Sequence, residues 1–240
     1  MALSVLIAPG VYRIPLLPYD LLNVYALTDD DGQVTLVDAG LPTSSGRIMT
    51  ALAEIGAGRV DVTRIIATHN HVDNVGGLRA VAGRTGSPVA VHADDAQDVR
   101  DGRGSPFDPA IPLGRLLHRQ PVGSGGVPVS EELHDGQLLP VAGGLEVVHT
   151  PGHTPGHISL LHRPTETLIT GDAIWNMNSR RTWPIFASCS DGQQTKQTAE
   201  RLGDLEYRTA AFTHGPEIRD TGREAIRSFL VQPRGFRLGV

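Results

Sequence analysis

The sequence predicts an α/β protein in which layered sheets are covered by helices on their outer sides. Three observations predict it. Short β-rich runs recur through both halves of the chain, helical patterns lie between some of them, and no Pro/Gly/Ser-rich linker splits the 240 residues into two hydrophobic halves. With 40% hydrophobic residues and 28 glycines, the chain has apolar material for a sizeable core and turn residues for many tight connections. A single domain spanning 1–240 is expected.

The opening stretch MALSVLIAPGVYRIPLLPYD is mildly apolar, lacks a basic leader and is broken by Pro9, Gly10, Pro15 and Pro18. It fits a strand pair better than a secretion signal. The runs VTLVDAG (34–40), RIIATH (64–69), PVAVHA (88–93), LEVVHT (145–150), ISLLHR (158–163), TLITGD (167–172) and AAFTHG (210–215) read as strands bounded by turn residues. The stretch TSSGRIMTALAEIG (43–56) offers Thr43, Ser44 or Ser45 as a helix N-cap, Ile48, Leu52 and Ile55 on one face, and Gly56 as a stop. A second helix is predicted over 193–205, capped by Asp191 and burying Ala199, Leu202 and Leu205, and a third over 224–232. Residues 101–128 have no sustained period and many glycines and prolines, which reads as a lid or loop insertion or else as a surface insertion without a role.

Net charge of −5 and a pI near 6.0 argue against nucleic acid or an anionic membrane as a partner. No apolar run reaches bilayer-spanning length. The one cysteine, Cys189, excludes an intrachain disulfide framework and a Cys-rich zinc site, and without a local nucleophile signature it reads as an ordinary small side chain. A small-molecule substrate and a cytoplasmic address are the expectations.

The chemistry concentrates at strand ends. In THNHVDN (68–74) a strand runs directly into His69, and residues two apart point the same way in extended backbone, so His69, His71 and Asp73 would converge on one side. TPGHTPGH (150–157), TGD (170–172) and THGP (213–216) each place a further His or Asp just past a predicted strand, beside glycines that admit close backbone approach. Imidazole and carboxylate are the usual nitrogen and oxygen ligands of zinc and related divalent ions.

In order and local context, His69, His71, Asp73, His153, Asp172 and His214 match the motifs of the metallo-β-lactamase superfamily, and the chain resembles that family from VDAG at 37–40 to THGP at 213–216. The resemblance implies a four-layer αββα sandwich with its site at one edge of the sheets. It implies that His69, His71 and His153 hold a first metal, that Asp73, residue 74 and His214 hold a second, that Asp172 bridges the two and that Asp38 supports them from behind. Asn74 stands where the family carries a histidine. An amide nitrogen has no basic lone pair, so only the neutral carbonyl oxygen of Asn74 can coordinate, which makes it a weak ligand at most. One firmly held Zn2+ is expected, with a second ion weak, absent or of a harder kind; iron and manganese stay open.

Zinc on three histidines keeps an open position for water, whose pKa falls to about 7 from about 15.7, and this gives a hydroxide nucleophile at neutral pH. Asp73 would orient that water and shuttle its proton. The expected activity is hydrolysis of a small ester, thioester or lactone. TPGHTPGHI looks most like the glyoxalase II-type thioesterases, but the segment after His214 has room for only one helix and a tail. The alternative is a non-haem iron enzyme resembling the persulfide dioxygenases, with His69, His153 and Asp172 as its two-histidine, one-carboxylate set. A metal-binding relic without catalysis is the third reading. His118 in the 101–128 stretch is a candidate substrate contact. In WNMNSRRTWPIFASCSD (175–191), Arg180, Arg181, Trp175 and Trp183 either recognise an anionic or aromatic group or are exposed arginines and packed tryptophans.

Overall fold

The computed structural model describes residues 3–107 and 125–231. The core of the predicted 101–128 insertion, with His118, lies outside them. Within them the chain makes a seven-stranded sheet in sequence order, β1 (Val5–Ala8), β2 (Val11–Pro15), β3 (Asn23–Thr28), β4 (Val34–Val37), β5 (Val62–Ala67), β6 (Val89–His92) and β7 (Glu131–Leu133). Its first strands are antiparallel; β4 to β7 pair in parallel, through helices α1 (Ser45–Glu54), α2 (Val72–Val75), α3 (Leu78–Thr85) and α4 (Ala93–Asp101). The second half contributes β8 (Leu138–Leu139), β9 (Leu145–His149), β10 (Ile158–His162), β11 (Thr167–Ile169), a hairpin of β12 (Trp175–Met177) and β13 (Arg180–Thr182), and β14 (Thr209–Ala211). In the second sheet these run β14-β11-β10-β9-β8, the hairpin standing apart.

Strand alternation sorts side chains into layers. In β5, Ile65 and Ala67 face one way and Ile66 the other; in β10, Ile158 and Leu160 oppose Leu161. Ile66, Val37 and Tyr25 of the first sheet meet Val147, Ile158 and Leu160 of the second in a core between the sheets. The outer face of the first sheet packs on Ile48 and Leu52 of α1, Leu78 and Val81 of α3, and Ala96 and Val99 of α4. The second is covered by Ala199 of α5 (Gly192–Ala199), Leu202 of α6 (Arg201–Asp204) and Ile226 of α7 (Gly222–Leu230). This is the αββα sandwich, in one domain. Every strand and helix predicted above forms. Asp191 caps α5 by accepting from Gln193 N and Gln194 N, and the 193–205 helix divides at Glu200, which itself keeps helical angles.

Polar ties cross between the sheets at the end where the ligand-type residues gather. The amide nitrogen of Asn23 donates to the carbonyls of Phe212 and Gly215, Tyr25 Oη donates to Phe212 O at 2.6 Å, and Ile158 N donates to Thr68 O at 2.9 Å. Gly215 is required there: its φ is +102° and a Cβ would lie 1.9 Å from Asn176 O. Gly215→Ala is therefore expected to cost about 3 kcal/mol, the upper end of overpacking penalties. Gly83→Ala, in α3 with nothing within 4 Å of its Cβ, is expected to stabilise by about 0.5–1 kcal/mol. Denaturant unfolding of the two variants checks the opposite signs.

Candidate metal centre

Five strand ends, those of β4, β5, β9, β11 and β14, deliver the site. Asp38 follows β4 with φ +67°, an unusual conformation for a side chain other than glycine. Its buried carboxylate accepts from Thr68 N at 2.7 Å, Thr68 Oγ1 at 2.8 Å and Asn74 Nδ2 at 2.9 Å. Burial pushes this carboxyl up to about 7 while those three bonds pull the other way. Because Thr68 spends its proton on Asp38, its oxygen accepts from His69 Nδ1 at 3.0 Å, which leaves His69 Nε2 as a bare lone pair.

The same logic repeats around the site. His214 Nδ1 donates to Leu21 O at 2.6 Å, freeing Nε2, which lies 3.3 Å from Asp172 Oδ2 and 3.4 Å from Asp73 Oδ2. His153 Nδ1 points at Cys189 Sγ, 3.3 Å away, and its Nε2 lies 2.9 Å from His71 Nδ1 and 3.2 Å from Asp172 Oδ2. His69, His71 and His153 each offer a ligand nitrogen within 4.8 Å of the others. Five atoms here are buried with no hydrogen-bond partner: His69 Nε2, His71 Nε2, Asn74 Oδ1, Asp172 Oδ1 and His214 Nε2. Each such orphan costs about 1–3 kcal/mol, so a cluster of them is the signature of a group they jointly bind. A divalent cation fits this donor set.

The electrostatics agree. Burial lowers His69 well below its ordinary value and takes His71 to about 3. Burial acts the same way on His153 and His214, but Asp172, helped by Cys189 at His153 and by Asp73 at His214, outweighs it and holds them at about 10 and about 11. Burial would raise Asp172, yet His214 and His153 keep it well below the usual carboxylate range. The site is one that favours positive charge beside Asp172.

Against this centre lies a cavity of about 240 Å³ with Val72, Phe107 and Trp175 on its apolar side and Asp73 at its wall. The Trp175 ring leans on His214, 4.4 Å between centroids, and Phe107 lies nearly parallel to His71 at 6.2 Å.

A model of the metallo-beta-lactamase superfamily matches residues 20–214. The chain belongs to this superfamily. It is 29% identical to a probable metallo-hydrolase, YflN, of Bacillus subtilis over 94% of this chain and 90% of that protein. It is 31% identical to a hydroxyacylglutathione hydrolase of Cereibacter sphaeroides over 69% of this chain, but that match spans only 56% of the relative. Among solved structures, the metallo-beta-lactamase family protein TTHA1429 of Thermus thermophilus superimposes with a TM-score of 0.71 at 28% identity, covering 92% of this chain and 78% of that one.

In this superfamily member all eight residues singled out from sequence, Asp38, His69, His71, Asp73, Asn74, His153, Asp172 and His214, belong to one connected group. The route differs for His69, His71 and Asp73. β5 ends at Ala67, the chain bends through Thr68, His69 and Asn70, and His71 is the N-cap of α2, so strand alternation does not set these side chains; Asp73 sits on a helical turn and reaches His214. Asn74 turns its amide nitrogen to Asp38, leaving Oδ1 among the orphaned atoms. Of the four candidate substrate contacts in 175–191, only Trp175 lines the cavity; Trp183 packs on Phe229, and Arg181 bonds Ser179 O in its own hairpin.

Two residues outside that group support the centre. Cys189 is the partner of His153 described above. His157 accepts from Asp172 N at 2.8 Å through Nε2 and donates from Nδ1 to Thr150 O at 3.1 Å, which fixes the backbone of Asp172. Its place at the end of TPGHTPGH was visible, but nothing local marks the residue it would hold. His92, Asp94 and His149 also lie close together. The two rings there stack at 3.9 Å and 16°, so their in-plane lone pairs run side by side instead of converging, and His149 Nε2 is spent on Pro155 O. Replacing His157 by Leu strands the buried Asp172 N–H and Thr150 carbonyl, and urea unfolding is expected to show a loss of about 2 kcal/mol.

Proposed function

We propose that this chain is a metal-dependent hydrolase of a small ester, thioester or lactone. The observation that carries the proposal is the convergence of His69, His71 and His153 within 4.8 Å beside Asp172, opening on a cavity whose wall includes the Asp73 carboxylate. In this reading His69, His71 and His153 hold a first ion, Asp172 is shared, and Asp73, His214 and the Asn74 carbonyl oxygen make a weaker second position. A nitrogen-rich set favours zinc and an oxygen-rich one favours harder ions. When bound, such an ion lowers the pKa of a coordinated water toward about 7 and polarises a carbonyl.

The protein's own groups do the rest. Asp73 Oδ2 accepts the proton of the attacking water, a role that suits its place between the cavity and His214. His157 holds the backbone of Asp172, while Thr68, Leu21 O and Cys189 keep the nitrogens of His69, His214 and His153 oriented. Val72, Phe107 and Trp175 receive the apolar part of the substrate, and no Lys or Arg lines the cavity among the described residues. That wall suits a compact, uncharged acyl compound better than a glutathione conjugate, in keeping with the partial overlap with the hydroxyacylglutathione hydrolase.

Zinc-loaded protein is expected to turn over members of an ester, thioester and lactone panel. Asp73→Asn is expected to lower kcat by about 10²-fold or more while the zinc at the three-histidine position is retained. A preparation that holds iron and consumes oxygen with a glutathione persulfide, or one inert across the panel, overturns the proposal. Metal analysis by mass spectrometry is expected to find fewer than two tightly held zincs per chain, rising in Asn74→His.

A further inference from the structure

The three histidines of the first position do not come from one sheet. His69 and His71 ride on the loop after β5 of the first sheet, and His153 on the loop after β9 of the second. Their nitrogens converge only if these two loops keep a fixed separation. Besides Asp172, which faces the rings of His69 and His153, another side chain that belongs to neither loop bonds both. Asp95, in the first turn of α4 and 1% exposed, accepts from Asn70 N at 3.1 Å and Thr154 Oγ1 at 2.6 Å through Oδ2, and from Gly156 N at 2.8 Å through Oδ1. Asn70 stands between His69 and His71. Thr154 and Gly156 lie between His153 and His157.

We infer that Asp95 is a positioning residue of the metal centre, a carboxylate clamp that sets the distance between the His69/His71 loop and the His153 loop. The inference rests on the reading of these histidines as metal ligands, though not on the reaction they serve. The chemistry requires a carboxylate. Three donors meet at one buried group, and an ionised carboxylate accepts from all of them, whereas an amide of the same shape turns an NH2 toward at least one. Burial pulls the Asp95 carboxyl up to about 6 against the pull of those bonds. The fit is close on the other side as well: a Cβ on Gly156 would lie 2.6 Å from Asp95 N, so glycine lets the second loop approach α4. The helix itself is fixed to the first sheet through Ala96 and Val99. Asp95 thus transmits a rigid reference from the first sheet to a loop of the second.

A merely structural Asp95 and a positioning one differ in what they do to metal affinity at equal loss of stability. Zn2+ dissociation constants are read by competition with a chromophoric chelator, ligand-field geometry from the visible absorption of Co2+-substituted protein, and stability from thermal unfolding in excess chelator. Asp95→Asn is expected to weaken Zn2+ binding by about 10–100-fold and to change the Co2+ spectrum. Val99→Ala, a cavity in the same helix away from both loops, is expected to lower the melting temperature and leave affinity and spectrum unchanged. Thr154→Val removes one donor with little change of shape and is expected to weaken affinity about fivefold, which keeps the test open if Asp95→Asn does not fold. Asp95→Asn or Thr154→Val that loses stability with wild-type affinity and spectrum overturns the inference. A wild-type protein that binds neither ion overturns the metal reading itself, and an inactive protein with the expected affinities overturns only the hydrolase proposal.

Discussion

Nitrogen atoms that are to hold a cation have to be kept free of hydrogen bonds inside a buried site, and the surrounding structure is arranged around that constraint. Unpartnered buried polar atoms are costly; five of them meet at this one point, and the opposite side of three of the four rings is satisfied. Thr68 takes one nitrogen of His69, Leu21 O one of His214 and Cys189 one of His153. Each of these partners also selects a tautomer, which leaves the remaining lone pair pointing inward. Asp38 stands behind the series, since its carboxylate determines which way the Thr68 hydroxyl faces.

The same carboxylate gives Asn74 a function. An imidazole at this position would present a ring nitrogen to the site; the amide presents a neutral oxygen there and uses its nitrogen to complete the hydrogen bonding of Asp38. Asn74 preserves the support for His69 while facing the site with a weakly basic amide oxygen in place of a basic ring nitrogen. The two halves of the site are therefore unequal in chemistry though continuous in structure.

Much of the fold was legible because buried strands are short, rich in β-branched residues and bounded by turn residues; VTLVDAG contains β4 and RIIATH overlaps β5. The ligand-type residues were legible because each follows such a run. Alternation does not reach the ligand-type residues, because β5 ends at Ala67, the chain bends at residues 68–70 and then forms the turn that lets Asn74 N and Val75 N bond His71 O. Strands as short as β7 and β8 carry too few residues to show a period. His157 and Asp95 were not legible as supports because what they hold lies 15 to 61 residues away, and neither the acceptor nor the donor alone carries a pattern. Long-range hydrogen bonds between single polar groups are set by the folded layers.

The layers differ in what kind of displacement they resist. Valine, isoleucine and leucine between two sheets oppose separation strongly, but apolar contact is non-directional and tolerates a small slip of one sheet over the other. The bonds from Asn23 and Tyr25 to the carbonyls around Phe212, and from Ile158 to Thr68, are directional and lose strength when donor and acceptor move out of line. They fasten the sandwich against shear at the end where the ligand-type residues gather, so that two sheets behave there as a single mounting plate.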